Sequence, residues 1–266
     1  MFWTSSLGRP DHCLRGGGCR LEFNPPTTPF EGTGNESRPA DASPPKPTRV
    51  LPLVRPAEVP VEPDIGLYLR HMKRWFDLLL GGVLFLIALP ILLLLALAIK
   101  LDTPGPILYR SIRVGRGGKL FTFYKLRSMV RGAADQRDEI AHLNEVTGPV
   151  FKIARDPRIT RVGRVLRRLS LDELPQLMNV LTGAMSLVGP RPPIPEEVAQ
   201  YEPWQLRRLD VVPGITCLWQ ISGRSRIGFQ EWMRLDLEYI RHRSFKLDMK
   251  ILIRTIPAVL SREGAY

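Results

Sequence analysis

The chain has 266 residues, a formal charge of +12 and a pI of about 10.1. That length holds one sizeable domain with accessory segments, and the charge favours an anionic partner: nucleic acid, acidic lipid headgroups or phosphorylated substrates. Three cysteines (Cys13, Cys19, Cys217) and four histidines (His12, His71, His142, His242) are too few and too scattered for a disulfide framework or a zinc site, and they fit a reducing, cytoplasmic setting.

The first thirty residues lack an apolar run behind a basic start, so no secretory signal is expected. Residues 1–65 read as a disordered arm without a catalytic role. Eleven prolines fall between Asn24 and Asp64 with no helical or strand period. Such a segment cannot bury enough apolar surface to offset its ordering entropy.

Residues 66–102 read as a membrane-inserted segment. Leu78 to Ile99 is a run of 22 residues without a charge. As a helix it extends roughly 33 Å, enough for a hydrocarbon core of about 30 Å. Pro90, in the middle of the run, removes a backbone hydrogen bond and predicts a bend. Arg70, Lys73 and Arg74 precede the run, and Lys100, Arg110, Arg113 and Arg116 follow it. Basic flanks favour the cytoplasmic side, so a helix that enters and leaves by one face satisfies both. An ordinary span with a proline kink is the alternative.

Beyond Gly105 the chain reads as a basic, mixed domain over residues 103–266. Leu108 to Arg110 and Leu120 to Lys125 predict short strands around a hairpin turn at Gly115–Gly118. That turn lacks the Gly-Lys-Ser/Thr of a P-loop. Helical patterns follow at about 130–145, 162–169, 174–182, 194–207 and 229–242. Those mixing Trp or Leu with Arg and Lys, as in Trp204 to Arg208, suit a membrane surface or a small core. Leu247 to Leu260 alternates apolar and charged residues weakly. No internal repeat is evident.

The densest stretch of reactive residues runs from Asp156 to Pro193. It holds the adjacent carboxylates Asp172 and Glu173 between arginine-rich segments. One such carboxylate can attack phosphorus to form a covalent phosphoryl-enzyme. The other can hold Mg²⁺, which prefers oxygen ligands and bridges to substrate phosphates. Arginine suits phosphate through its planar fork. A competing reading makes Ser170 and Glu173 a capping box. Pro175 argues against it, because a helix beginning near Leu174 places the proline in its first turn. The ladder Arg155, Arg158, Arg161, Arg164 and Arg167 fits a solvated face or nucleic-acid phosphates. No nucleic-acid module accompanies it, so nucleic acid is not an expected partner.

Ordered motifs extend this pattern. They are Lys73 to Asp77, Gly105-Pro106, Arg113 to Gly115, Phe121, Tyr124 to Met129, Asp156 to Thr160, Ser170 to Gln176, Asn179 to Gly183, Met185 to Pro192, Pro213 to Thr216, Trp219-Gln220 and Ser222 to Arg224. In this order, over about Met72 to Ala265, the chain resembles the bacterial sugar transferases, monotopic polyprenyl-phosphate phosphoglycosyl transferases of the short exopolysaccharide-initiating type. The resemblance implies a membrane-associated α+β fold. It would consist of one re-entrant or spanning hydrophobic helix and a small mixed, mostly helical cytoplasmic domain with interfacial amphipathic helices, at the bacterial inner membrane. It implies transfer of sugar 1-phosphate, galactose or glucose favoured, from a UDP-sugar to undecaprenyl phosphate, through an aspartyl phosphosugar on Asp172 with release of UMP. Glu173 would ligate Mg²⁺, and Arg191, Arg167, Lys125 and Arg127 would bind substrate phosphate. Membrane lipids are implied partners, and a homodimer is compatible with the family. Leu89, Ala184, Cys217 and Ser111 depart from the usual pattern, which bears on sugar choice. The alternative is a non-enzymatic membrane scaffold of a polysaccharide-export complex, for which the acidic pair would be dispensable.

Overall fold

The structure, a computed structural model, describes residues 68–261 except 137, 146–148, 152, 154 and 224–226, and at residues 70 and 71 the backbone only. The expected arm over 1–65 and Arg224 of the last motif lie outside the described residues.

A π-turn at Tyr68–Met72 leads into α1, Lys73–Asp102, a helix of 30 residues. At 1.5 Å per residue α1 is about 45 Å long. It stays α-helical through Pro90. Its buried positions, Asp77, Gly81, Ala88 and Ile99, recur at intervals that return to one narrow face of a 3.6-residue helix. Around the rest of the helix apolar side chains lie open: Leu79, Leu86, Leu93, Leu94 and Leu101 are all exposed. Only 11% of its most apolar 18-residue window is buried. A core helix of a soluble protein would be largely covered, whereas α1 is long and apolar enough to cross a membrane and leaves its apolar surface open.

The narrow stripe is docked on the rest of the chain at both ends. Near its start Arg74 donates to the carbonyls of Val180 (2.6 Å) and Leu181 (2.8 Å), Lys73 pairs with Asp248 (2.6 Å), and Asp77 accepts from the Leu187 amide (3.1 Å). At its end Asp102 accepts from the Val162 amide (3.1 Å), while Arg127 donates to the Thr103 and Pro104 carbonyls, each at 2.7 Å.

Strands β1 (Leu108–Val114) and β2 (Leu120–Leu126) form an antiparallel hairpin that pairs Leu108 with Leu126 and Val114 with Leu120. A short 3₁₀ turn at Arg116–Gly118 joins them, so the predicted hairpin is present. A parallel pair, β3 (Ser186–Val188) with β4 (Gly214–Thr216), did not show in the sequence pattern because each strand is only three residues long. Helices α2 (Arg161–Arg168), α3 (Gln176–Thr182) and α6 (Phe229–His242) match predicted segments. The one over 194–207 resolves into α4 (Pro195–Val198) and a 3₁₀ stretch, Gln205–Asp210, separated around Pro203. Helix α5 is Leu218–Ile221.

Two expectations are corrected. The helical pattern at 130–145 forms turns with a single 3₁₀ turn, Ala141–Leu143. Gly132, at φ 77°, takes a left-handed conformation that interrupts a helix at its start. The weakly alternating tail is helix α7, Phe245–Leu260, whose Asp248 and Ile251 are buried while Ile253, Ile256 and Leu260 are exposed. The main core joins α1 to the domain: Ala88 packs in one cluster with Phe123, Leu177, Val180, Met185, Leu187, Tyr239 and Ile251. A second cluster, around Ile99, Leu126 and Leu166, seats the far end of α1 on α2 and β2.

Candidate active site

Asp172 and Glu173 occupy a 3₁₀ turn, Leu171–Glu173, between α2 and α3. The chain reaches it through Ser170, held at φ 55° and ψ 22°. A non-glycine residue in this region costs on the order of 1–3 kcal/mol, and surrounding structure must enforce it. The turn brings the carboxylates onto the β1–β2 hairpin. Pro175 is the N-cap of α3, where its missing N–H costs nothing. The capping-box reading does not hold, because Ser170 makes no side-chain cap and Glu173 faces cations instead.

Those cations come from distant segments. Lys125, near the end of β2, places Nζ 3.2 Å from Asp172 Oδ2 and 3.0 Å from Glu173 Oε1. Arg191, in the extended Gly-Pro-Arg-Pro segment after β3, donates Nη1 to the same Glu173 Oε1 at 3.0 Å. Burial opposes ionisation of Glu173, but Lys125 and Arg191 outweigh it and hold the carboxyl well below the usual carboxylate range. Arg191 is raised in turn, chiefly by Glu173. Asp172 is buried at 5% exposure. Arg167, on α2, donates Nε to Ser128 Oγ at 3.0 Å. Burial lowers Arg167, and the charge of Asp172 partly offsets this.

The structure therefore brings Asp172, Glu173, Lys125 and Arg191 together, with Arg167 in electrostatic range. It does not bring Arg127 to them. That guanidinium is committed to the carbonyls that end α1, where a cation complements the helix dipole. Pro90 lies in the exposed middle of α1.

Asn179 had no assigned role in the sequence reading. Its amide donates to the Thr122 carbonyl (2.7 Å) and accepts from the Tyr124 amide (3.2 Å), so α3 is fastened to β2 one residue from Lys125. An amide that matches a strand edge in both directions fixes register. Arg113, stacked 5.2 Å over Phe123, holds the Pro192 carbonyl at 3.1 Å.

The donors this site offers a divalent cation are two carboxylates. Among the described residues no cluster of three or more His, Cys, Asp or Glu is suited to a metal. Lys125 and Arg191 engage Asp172 Oδ2 and Glu173 Oε1, so Asp172 Oδ1 and Glu173 Oε2 are the oxygens that could hold such an ion. One or two carboxylates completed by substrate phosphates is the coordination typical of Mg²⁺.

A long, uncovered apolar helix fastened at both ends to a unit in which an acidic pair lies among cations is an arrangement suited to anionic ligands beside a membrane. The chain belongs to the bacterial sugar transferases, whose family pattern it matches over residues 68–262. It is 44% identical over 194 residues to the galactosyl transferase CpsE of Streptococcus agalactiae serotype III, covering 73% of this chain and 43% of that protein. It is 38% identical over 198 residues to the exopolysaccharide production protein ExoY of Rhizobium meliloti (73% and 88%). It is 42% identical over 213 residues to the UDP-glucose:undecaprenyl-phosphate glucose-1-phosphate transferase of Caulobacter vibrioides (77% and 74%). The match thus spans less than half of CpsE but most of ExoY.

Proposed function

We propose that this chain transfers a sugar 1-phosphate from a UDP-sugar to undecaprenyl phosphate at a bacterial inner membrane, as an initiating step of exopolysaccharide or O-antigen repeat-unit assembly. The observation that carries this is the Asp172–Glu173 pair clasped by Lys125 and Arg191 beside a membrane helix. Galactose and glucose, named for CpsE and the Caulobacter relative, are the favoured sugars.

In the first half-reaction a carboxylate oxygen of Asp172 attacks the β-phosphorus of the UDP-sugar. The new O–P bond forms as the bond to the bridging oxygen breaks, and the electron pair leaves with UMP. In the second, an oxygen of polyprenyl phosphate attacks the same phosphorus. The aspartyl bond breaks, Asp172 is restored and a polyprenyl diphosphate sugar results. Covalent catalysis lets one site serve two substrates in turn. Lys125 and Arg191 offset the charge that develops on the phosphoryl oxygens, and their fixed positions mean little reorganisation at the moment of reaction. Mg²⁺ held by Glu173, with Asp172 adjacent, would supply further charge neutralisation on the diphosphate. The direct bond from Lys125 to Asp172 orients the attacking carboxylate.

Contacts from one domain to both ends of α1 support a helix that enters and leaves the bilayer by the same, cytoplasmic face. A straight span would carry one end about 45 Å away from a domain on the other side. Single cysteines at Met72 and Lys119 would then label from the same side of sealed vesicles, and labelling from opposite sides would refute it. For the chemistry, UMP release from UDP-galactose and UDP-glucose is followed in the presence of undecaprenyl phosphate and Mg²⁺. Asp172→Asn should abolish turnover, and a normal rate from that variant would remove Asp172 from the mechanism.

A further inference from the structure

The segment from Gly189 to Pro193 contains three prolines, so most of its own N–H groups are missing, and its carbonyls are fixed from outside. Gly214 N donates to Pro190 O (2.9 Å), Arg208 Nη2 to Arg191 O (2.8 Å), Arg113 Nη1 to Pro192 O (3.1 Å) and Val114 N to Pro193 O (2.9 Å). The donor at Arg191 itself is a guanidinium with 2% exposure.

Arg208 is held with unusual care. Its Nη1 donates to the Tyr201 hydroxyl at 2.7 Å. Its guanidinium lies 5.1 Å over the Trp232 ring and 5.7 Å over that of Tyr201. Asp236, on α6 and 1% exposed, is its counter-charge, with Oδ2 2.7 Å from Nη2. Yet neither oxygen of Asp236 receives an aligned hydrogen bond among the described residues. Nη1 serves Tyr201 and Nη2 serves the Arg191 carbonyl, while Asp236 Oδ2, close to the same Nη2, supplies the counter-charge. A buried ion pair is a poor way to gain stability, since apolar residues of similar volume serve as well. It is a good way to hold one guanidinium at one orientation.

We propose that Arg208, neutralised by Asp236, is a positioning residue for Arg191: it grips the Arg191 main chain so that the guanidinium beyond it meets Glu173 and the substrate phosphate. The proposal rests on the reading of Arg191 as a phosphate ligand. It connects α6, a helix with no residue at the acidic pair, to the geometry of that pair through two arginines in series. Substrate affinity then depends on a side chain that never touches substrate.

The test is a double-mutant cycle on the full-length protein in nanodiscs, with UDP as the probe in calorimetry. Arg208→Lys retains charge opposite Asp236 but cannot reach Tyr201 and Arg191 at once. It should weaken UDP binding about tenfold with Arg191 present, and less than about twofold in an Arg191→Ala background. The thermal unfolding midpoint in the two backgrounds controls for a purely structural role. Additive losses across the cycle would overturn the proposal. If Arg208→Lys does not fold, Tyr201→Phe removes one anchor of the same fork, and a loss confined to the Arg191 background is again required. If the wild type binds no UDP, the functional reading fails separately. The positioning is then read from the Arg191 Nε resonance in ¹⁵N-arginine-labelled protein: resolved in wild type and broadened or shifted in Arg208→Lys supports it, unchanged overturns it.

Discussion

Gly163 offers a stringent test of how tightly the acidic pair depends on the seating of α2. It lies in the first turn of that helix, directly over the end of β2. A Cβ added there would fall on the Ser128 carbonyl oxygen, with the Ser128 carbonyl carbon at 2.6 Å and its Cα at 2.8 Å. These are backbone atoms, so no rotamer change relieves the clash. Restoring the 3.4 Å at which ordinary contact begins requires α2 to move by more than about 1 Å, because the oxygen lies nearer than either carbon. That carbonyl also accepts from the Thr160 amide at 3.1 Å, and Thr160 Oγ1 caps Gly163 N at 2.9 Å, so the displacement strains the N-cap as well. Overpacking of this kind costs about 1–3 kcal/mol. At the far end of α2 the shift parts Arg167 from Ser128 Oγ and moves the turn that carries Asp172. Misplacement of about 1 Å costs a reaction on the order of a hundredfold. Gly163→Ala should therefore lower UMP release by about thirty- to a hundredfold while the protein still inserts in membranes. Turnover in vesicles and thermal unfolding in detergent are measured together. Wild-type turnover from Gly163→Ala would show that α2 does not set the geometry of the pair.

Other perturbations are as direct. Arg74→Lys preserves the basic flank but keeps at most one of the two bonds to Val180 and Leu181, so it should destabilise the fold by about 1–2 kcal/mol in thermal unfolding; full stability from lysine would reduce Arg74 to a topology signal. Burial pushes Asp236 from 3.8 up to about 6 against the pull of Arg208. A raised carboxylate binds its proton more tightly when folded, so stability should fall as pH rises from about 4 to 6, by about 3 kcal/mol at most, and level off above. Asp236→Asn should flatten that part of the unfolding profile, and an unchanged slope would refute the assignment. A fluorophore on a cysteine at Ile256, 63% exposed on the apolar face of α7, should be quenched by brominated acyl chains, as expected of an interfacial helix; no quenching would place that face in water.

What the sequence disclosed was local. The membrane helix showed in an uncharged run, the hairpin in a glycine turn between apolar segments, and the acidic pair in its own adjacency. Partners far apart in the chain had no such signal. Lys73 and Arg74 read as a topology flank because they are basic, yet they are bound across more than 100 residues to Asp248, Val180 and Leu181. Arg127 shared a motif with Lys125 and so seemed to share its ligand. On leaving β2 it turns instead to the end of α1. Cys217, one of the scattered cysteines, is buried at 1% exposure beside Gln220. The tail misled through its period: the buried and exposed residues of α7 follow 3.6-residue spacing, but Lys246, Asp248 and Lys250, set between Phe245, Leu247, Met249 and Ile251, mimic alternation, and the buried Asp248 puts a charge on the inner face.

The two ends of α1 lead to different halves of the site. From its start, Asp77 and Lys73 hold β3, donating or accepting at Leu187 and Val188, and Arg191 follows within three residues. From its end, Asp102 holds the first turn of α2, and that helix runs on to Arg167 and the acidic pair. A single residue inserted in α1 between these anchors, for instance an alanine after Leu93, would turn everything beyond it by about 100° and advance it about 1.5 Å. Ile99 would leave the cluster with Leu126 and Leu166, and Asp102 would lose Val162. Length and hydrophobicity would be unchanged, so a helix serving only as an anchor would tolerate the insertion. If α1 also sets the spacing between Arg191 and Asp172, the variant should reach the membrane in normal amount and turn over at least about a hundredfold more slowly. Insertion of four residues, nearly one full turn, restores the facing of the stripe but not its length, and should recover only part of that loss. Full activity from the one-residue insertion would mean that the membrane helix and the site are mechanically independent.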